Sequence, residues 1–198
     1  MLSAVISTKE SERSLVPTLS ALVPASASGL LAEVVIADAG STDATAEVAD
    51  IAGCRYISSG EPLGARLKTA AEATRSPWLL FLRAGVVPQP GWVAAVDHFV
   101  QVNALNADRG CAAVFGPVMT ADRFRPGLAE VLAMARAAIG GAALRPEQGL
   151  LISRPFYKAL GGHSPDEGAE LVLLRRLGRR RTAMLPVSVA VVAREEDT

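Results

Sequence analysis

Residues 33–45 read Glu33-Val34-Val35-Ile36-Ala37-Asp38-Ala39-Gly40-Ser41-Thr42-Asp43-Ala44-Thr45. The apolar residues run up to Asp38 without alternation, the pattern of a strand buried on both faces. Ala39 to Asp43 is a turn carrying helix N-cap candidates, and Thr45 to Ala52 reads as helix. A buried strand that delivers a carboxylate to its end, then a turn, then a helix, is the repeating unit of a parallel α/β sheet. Asp38 has two readings there. It can accept hydrogen bonds from a nucleobase N–H or a ribose hydroxyl, or it can be a loop carboxylate satisfied by backbone amides.

The pattern continues on both sides. Upstream, Leu2 to Ser7 is a strand, and Arg13 to Leu22 is a helix with Leu15, Leu19 and Leu22 on one face, ended by Pro24. Downstream come a short strand Arg55 to Ile57 and an Ala-rich helix Gly64 to Ala73. Trp78-Leu79-Leu80-Phe81-Leu82 is the most hydrophobic run and reads as the central strand. Val86 to Pro90 is a Pro-punctuated turn, with a helix after Trp92. A strand at Ala112 to Phe115 and a helix at Leu128 to Ala138, stopped by Gly140-Gly141, follow. Then come a strand Leu150 to Ser153, a helix Phe156 to Leu160, a helix Ala169 to Arg176 and a closing strand Leu185 to Val192. This order predicts one domain over residues 1–198, a three-layer α/β/α sandwich around a mostly parallel sheet. Ligands of such sheets lie at the carboxyl ends of the strands, so Thr8 to Glu10, Asp38 to Asp43 and Arg83 to Gly85 matter most.

The bulk properties fit that architecture. The 198 residues are 50% hydrophobic and 20% charged, a globular balance, and 20 basic residues match 20 acidic ones. A net charge of zero excludes a nucleic-acid binder that works by bulk charge. Cys54 and Cys111 lack Cys-x-x-Cys spacing and read as buried free thiols, with a disulfide unsupported; with only two histidines, a zinc site is not expected. Charged residues from Lys9 onward leave no signal-peptide core, and no run of about 18 apolar residues exists. A soluble cytoplasmic protein is the expectation.

The string from Glu33 to Thr45 resembles the nucleotide-binding segment of family-2 inverting glycosyltransferases, a strand ending in Asp followed by Gly-Ser-x-Asp-x-Thr. Further pieces follow in the family's order. Val5-Ile6-Ser7-Thr8 is similar to its opening strand, Gly64-Ala65-Arg66-Leu67-Lys68-Thr69-Ala70 to its Gly-initiated helix, and Trp78 to Leu82 to the strand leading into its metal site. Glu147-Gln148-Gly149-Leu150 and Ala159-Leu160-Gly161-Gly162 look like its acceptor-side elements, and Arg175-Arg176-Leu177 like the helix after its catalytic acid. The resemblance spans nearly the whole chain and is nearest to short members without membrane helices. It implies the nucleotide-diphospho-sugar transferase (GT-A) fold and transfer of a sugar from a nucleotide-diphospho-sugar to a hydroxyl acceptor. It also implies that Thr8 and Asp38 contact the nucleoside, while Asp43 caps its helix. Arg66 reaches the diphosphate or is an exposed surface Arg. Glu147, Gln148 and His163 fall on the acceptor side, His163 with a structural reading beside it. A homodimer is a further expectation.

The chain departs from the family at one decisive place. After the central strand the family puts Asp-x-Asp, whose oxygens hold the divalent magnesium or manganese that stabilises the leaving diphosphate. Here the segment is Leu82-Arg83-Ala84-Gly85, so no metal ligands are expected. The opening motif departs as well, with Ser7 where Pro is usual and Ser11 where an acidic residue is common. Either Arg83 replaces the cation, or the site has decayed and Arg83 is an ordinary solvated residue. An inverting transfer also needs a base for the acceptor hydroxyl. Counting back from Arg175-Arg176-Leu177, Glu170 matches the family's acid, with Asp166 and Glu167 as alternatives and surface charge as the plain reading. Arg179-Arg180-Arg181 reads as solvated surface before it reads as a phosphate site. The apolar stretch Leu128 to Leu144 has three readings: a core helix, a membrane-leaning segment and a dimer contact.

The main alternative function is a catalytically inactive nucleotide- or sugar-binding protein on the same fold. A nucleotidyltransferase would open with a Gly-rich loop, and Ser7 to Glu12 has no Gly. Gly-x-Gly-x-x-Gly after the first strand, a Gly-x-Ser-x-Gly elbow and a Walker loop are all missing, which argues against a dehydrogenase, an α/β-hydrolase and a P-loop enzyme.

Overall fold

In a computed structural model, which describes residues 1–104, 110–120, 144–166 and 168–192, the run around Trp78 lies in the middle of the sheet. β1 (Leu2–Thr8), β2 (Leu31–Asp38), β3 (Arg55–Ser58) and β4 (Trp78–Arg83) are parallel in the order β3-β2-β1-β4. α1 (Glu12–Ala27), α2 (Thr45–Ile51) and α3 (Leu63–Ala73) connect them. β5 (Val86–Pro88) and α4 (Trp92–Asn103) follow, then β6 (Ala112–Val114) and β7 (Val118–Thr120). The last elements are β8 (Leu150–Ser153), α5 (Arg154–Ala159), α6 (Ala169–Leu177), β9 (Thr182–Met184) and β10 (Val189–Val191). β8 runs antiparallel to both β4 and β6, and β9 is parallel to β6, giving the order β3-β2-β1-β4-β8-β6-β9. A small second sheet is ordered β5-β10-β7.

The strand pleat sorts the apolar residues into two layers. Leu2, Ala4 and Ile6 of β1, with Trp78, Leu80 and Leu82 of β4, pack on Leu15 and Leu22 of α1 and Trp92 and Val96 of α4. Val5, Leu79 and Phe81 face the other way, onto Leu67 of α3, Phe156 of α5 and Leu173 of α6. Both faces of the sheet are therefore covered, the predicted three layers. No helix among the described residues is long and apolar enough to cross a membrane.

Three expectations about elements change. α1 passes through Pro24 and ends at Ala27, because Leu22 and Ala25 are buried on the sheet and hold the last turn there despite the missing N–H. The closing strand read over Leu185 to Val192 is only β10, from Val189 to Val191; a separate strand, β9, lies before it and ends at Met184, with Pro186, which has no ladder donor, between them. β10 then crosses to the second sheet, pairing β5 inside the segment read as a turn and β7, which the sequence did not announce. The expected helix Leu128 to Ala138 and its Gly140-Gly141 stop lie outside the described residues, as does most of the apolar stretch to Leu144.

Gly64 shows how closely the two halves of the site approach. Its N–H donates to the Asp166 carbonyl at 3.3 Å. A Cβ added there would sit 1.6 Å from the Ser164 carbonyl oxygen and 2.6 Å from the Ala169 Cβ. Backbone cannot yield as a side chain can, so Gly64→Ala is expected to push the loop before α6 away and to lower stability by about 1–3 kcal/mol. Gly60→Ala, where an added Cβ meets nothing within 4 Å, is expected to stay within about 0.5 kcal/mol of the parent in urea denaturation. Equal midpoints for the two variants would refute the close approach.

Candidate active site

Parallel pairing puts Thr8 and Asp38 side by side at the carboxyl ends of β1 and β2. The Thr8 hydroxyl donates to Asp38 Oδ1 at 2.7 Å and the Ser41 hydroxyl to the same oxygen at 2.6 Å. Oδ2 accepts the Gly40 and Ser41 amides at 2.8 and 2.7 Å and the Ser58 hydroxyl at 3.2 Å. Asp38 is fully buried. Burial alone would favour its neutral form, but the hydrogen bonds from Ser41 and Thr8 outweigh it and bring its pKa down to about 2. The hydrogen bonds are those of a loop carboxylate satisfied by amides and hydroxyls, and the group lies beside Thr8 at the strand ends.

The turn after Asp38 is held entirely by carboxylates. Glu10 accepts the Thr42 and Asp43 amides at 3.0 and 3.2 Å, and Glu12 accepts the Ala44 amide at 3.1 Å. Asp43 accepts the Thr45 and Glu12 amides, each at 3.0 Å. With Asp38 on Gly40 and Ser41, every amide from Gly40 to Thr45 donates to a carboxylate. Successive N–H groups at a strand-to-helix turn point one way and attract negative charge. Asp43 thus serves the start of α2, as read from the sequence. Glu10 and Glu12 were missed. Their signal was two acids after β1 facing the cap-type residues after β2, visible only once those strands are known to be neighbours. Glu10 adopts φ 46° to reach across.

Arg66 is neither an exposed surface Arg nor free to swing onto a diphosphate. It is buried, and Nη1 donates to the Ala37 carbonyl at 2.7 Å and the Thr8 carbonyl at 3.4 Å, while Nε donates to the Glu61 carbonyl at 3.0 Å. The carbonyls of Thr8 and Ala37, at the ends of two parallel strands, need donors, and a guanidinium supplies several in one plane.

Three residues from distant segments come together at the end of β4. Arg83 Nε donates to Glu170 Oε2 at 2.9 Å and Oε1 at 3.2 Å, and Nη2 makes a short hydrogen bond to Oε2. Arg83 Nη1 donates to Glu147 Oε1 at 3.1 Å. The antiparallel β4–β8 pair aligns Phe81 with Leu150, so the short 3-10 turn Pro146–Gln148 just before β8 lies at the carboxyl end of β4. α6 brings Glu170 in from the covering layer in its first turn. Burial works against the Arg83 charge, but the hydrogen bonds and charge of Glu170, with the charge of Glu147, outweigh it and raise its pKa above the ordinary value. Arg83 is therefore a paired, half-exposed cation, unlike the solvated side chain of the decay reading. One N–H on each terminal nitrogen has no hydrogen-bond partner among the described residues.

Two residues expected on the acceptor side are structural. Gln148 is buried; its amide donates to the Phe115 and Gly116 carbonyls and accepts from the Arg145 amide, so neither end is left for a ligand. His163 is buried against Phe81 and Tyr157. The Tyr157 hydroxyl accepts the His163 backbone N–H at 3.2 Å and shares a second hydrogen bond with Nδ1 at 2.9 Å. Burial lowers the His163 pKa to about 4, which keeps the ring neutral near pH 7. Glu147 is the most exposed of the three, with its side chain on Arg83 at the end of β4. Of the alternative acids, Asp166 is exposed and contributes its carbonyl to Gly64, and Glu167 lies outside the described residues. Arg181 folds back on the Leu177 and Arg176 carbonyls and over the Phe156 ring, closing α6. Both cysteines are free and partly buried.

The residues at the end of β4 do not fit a divalent metal. A hard cation needs several oxygens, and the two carboxylates here already share a guanidinium whose charge would repel it. Among the described residues no group of three or more His, Cys, Asp or Glu is placed to hold one.

Residues 3–107, just over half of the chain, match the family model described as glycosyl transferase family 2. No curated protein matches the chain. Among solved structures, the chain is similar to glucosyl-3-phosphoglycerate synthase from Mycobacterium tuberculosis in complex with Mn2+, uridine diphosphate and glucosyl-3-phosphoglycerate. The identity is 22%, the TM-score 0.67, and the match covers 100% of this chain and 73% of that one. The same synthase with Mn2+, UDP-glucose and glycerol 3-phosphate matches at 22% identity and TM-score 0.66, over 100% and 73% of the two chains. These likenesses establish the fold.

Proposed function

Because the chain belongs to glycosyl transferase family 2, we propose that it transfers a sugar from a nucleotide-diphospho-sugar to a hydroxyl acceptor, with Arg83 standing where the family places a metal. The observation that carries the reading is the pinned guanidinium at the end of β4, held by Glu170 and Glu147, with an N–H on each terminal nitrogen that has no partner among the described residues. A fixed cation costs no reorganisation as charge develops on the leaving diphosphate, and that is what electrostatic stabilisation requires. Thr8 and Asp38 mark the nucleoside end, and Arg66 braces it from beneath through the strand-end carbonyls. The complexes of the similar synthase with uridine diphosphate and UDP-glucose make uridine nucleotides the first donors to test.

One observation favours a second reading, a nucleotide- or sugar-binding protein without turnover: Asp38 is saturated by the protein's own donors and no metal carboxylates follow β4. Calorimetric titration with UDP, GDP and their sugar conjugates, with and without manganese, tests both. Binding that does not depend on manganese is the expected result. No binding of any nucleotide under either condition would sink the transferase reading and the binding-protein reading together. Binding without consumption of the sugar donor in the presence of hydroxyl acceptors would leave the second.

A further inference from the structure

Glu170 and Glu147 are both carboxylates on Arg83, but they are not equivalent. Glu170 has both oxygens engaged: Nε–H is shared between them and Nη2–H lies on Oε2. Its side chain is 13% exposed. The space beside it, bounded by Phe81, Pro146, Gly149, His163 and Leu174, is a void of about 10 Å³. That is room for about one water and not for a sugar or a polyol. With both oxygens turned to Arg83 and so little space beside them, Glu170 is poorly placed to meet an acceptor hydroxyl.

Glu147 has the opposite character. A single hydrogen bond from Arg83 Nη1 holds Oε1, and Oε2 has no partner among the described residues. The side chain is 39% exposed, on the 3-10 turn Pro146–Gln148 at the end of β4. That turn is anchored by the buried Gln148 amide, so the carboxylate is presented on a fixed base. One oxygen is oriented by the cation and the other is open to an incoming hydroxyl, as a general base requires.

We propose that Glu147 is the general base of the transfer and that Glu170 is a positioning residue that acts through Arg83. The assignment rests on the transferase reading. In the step, the acceptor oxygen forms its bond to the anomeric carbon as the bond from that carbon to the diphosphate oxygen breaks. The hydroxyl proton passes to Glu147 Oε2, and the electron pair of the broken bond leaves on the nucleoside diphosphate beside Arg83. Glu170 neither gives nor takes a proton.

The test uses the full chain and a nucleotide sugar that it binds, with the nucleoside diphosphate freed as the sugar passes to water or to glycerol as the signal. Glu147→Gln keeps an oxygen for Arg83 but cannot take a proton. It is expected to lower kcat by about 10²–10⁴-fold while the donor Kd stays within about threefold. Glu170→Gln is expected to weaken donor binding tenfold or more, because Arg83 loses its charged anchor, and Glu170→Asp to restore part of that binding. A Glu147→Gln variant with parental kcat overturns the assignment, as does a Glu170→Gln variant that loses kcat at unchanged donor Kd. Donor binding with no release of nucleotide by the parent protein overturns the base but leaves donor recognition standing. Failure to bind any nucleotide sugar removes the transferase reading and the base with it.

Discussion

Arg83→Ala is expected to weaken nucleotide-sugar binding by about 100-fold or more while leaving the fold intact. The guanidinium is the cation at the end of β4, and removing it leaves Glu147 and Glu170 facing the place where a diphosphate would lie. Truncating one partner of a hydrogen-bonded charge cluster costs about 2–5 kcal/mol in affinity, and each 1.4 kcal/mol or so is tenfold. The effect on folding is smaller. Glu147 is more than a third exposed, so water screens its charge, while Glu170, 13% exposed, is left without its cation; the loss in stability is expected at about 1–2 kcal/mol. Arg83→Lys keeps the charge but cannot span two carboxylates with one planar fork, and should fall between parent and Ala. Titration calorimetry reads the affinity and urea denaturation the stability. Parental affinity in Arg83→Ala would return Arg83 to the surface and refute its role as the cation.

Asp38→Asn is expected to lose both stability and its dependence on pH. Five protein donors converge on this buried carboxylate. An amide nitrogen in place of one oxygen would face donors with a donor, so a loss of about 2–4 kcal/mol follows at neutral pH. The sign of the pH effect is fixed by the direction of the shift. The folded pKa of about 2 lies below the ordinary 3.8, so the carboxylate contributes stability above about pH 4 and loses it as pH falls through about 2. That contribution is roughly 2 kcal/mol. Urea midpoints measured from about pH 7 down to about pH 2.5 should fall more steeply for the parent protein than for Asp38→Asn. Parallel curves would mean that Asp38 keeps an ordinary pKa in the folded chain.

Much of the fold was legible because buried strands and amphipathic helices write their periods into the sequence. The uninterrupted apolar run from Trp78 to Leu82 marked the sheet's middle, and Glu33 to Asp38 marked a buried strand with a carboxylate at its end. The three-residue strands β5, β7 and β9 were not legible, since so short a run has no period and forms only because a partner lies alongside. Pro24 misled for a related reason. A local breaker yields when the residues around it bury enough apolar surface.

For the site, the residue types at the strand ends stood in the sequence, including Asp38, Arg83 in place of a metal carboxylate, and acids near residues 147 and 170. What each residue touches was decided only in three dimensions. Arg66 and Gln148 spend their polar groups on strand-end and loop carbonyls, and His163 turns inward to Tyr157. Glu147 and Glu170 meet on one guanidinium although they are 64 and 87 residues from Arg83. The amino-acid sequence by itself determined the sheet, its family pattern and the loss of the metal ligands, because those follow from local periodicity and residue identity. The tertiary structure decided the roles of the polar residues, because a buried polar group must find a partner wherever packing puts one: the pairing of β8 beside β4 brought Glu147 to Arg83, and the packing of α6 brought Glu170.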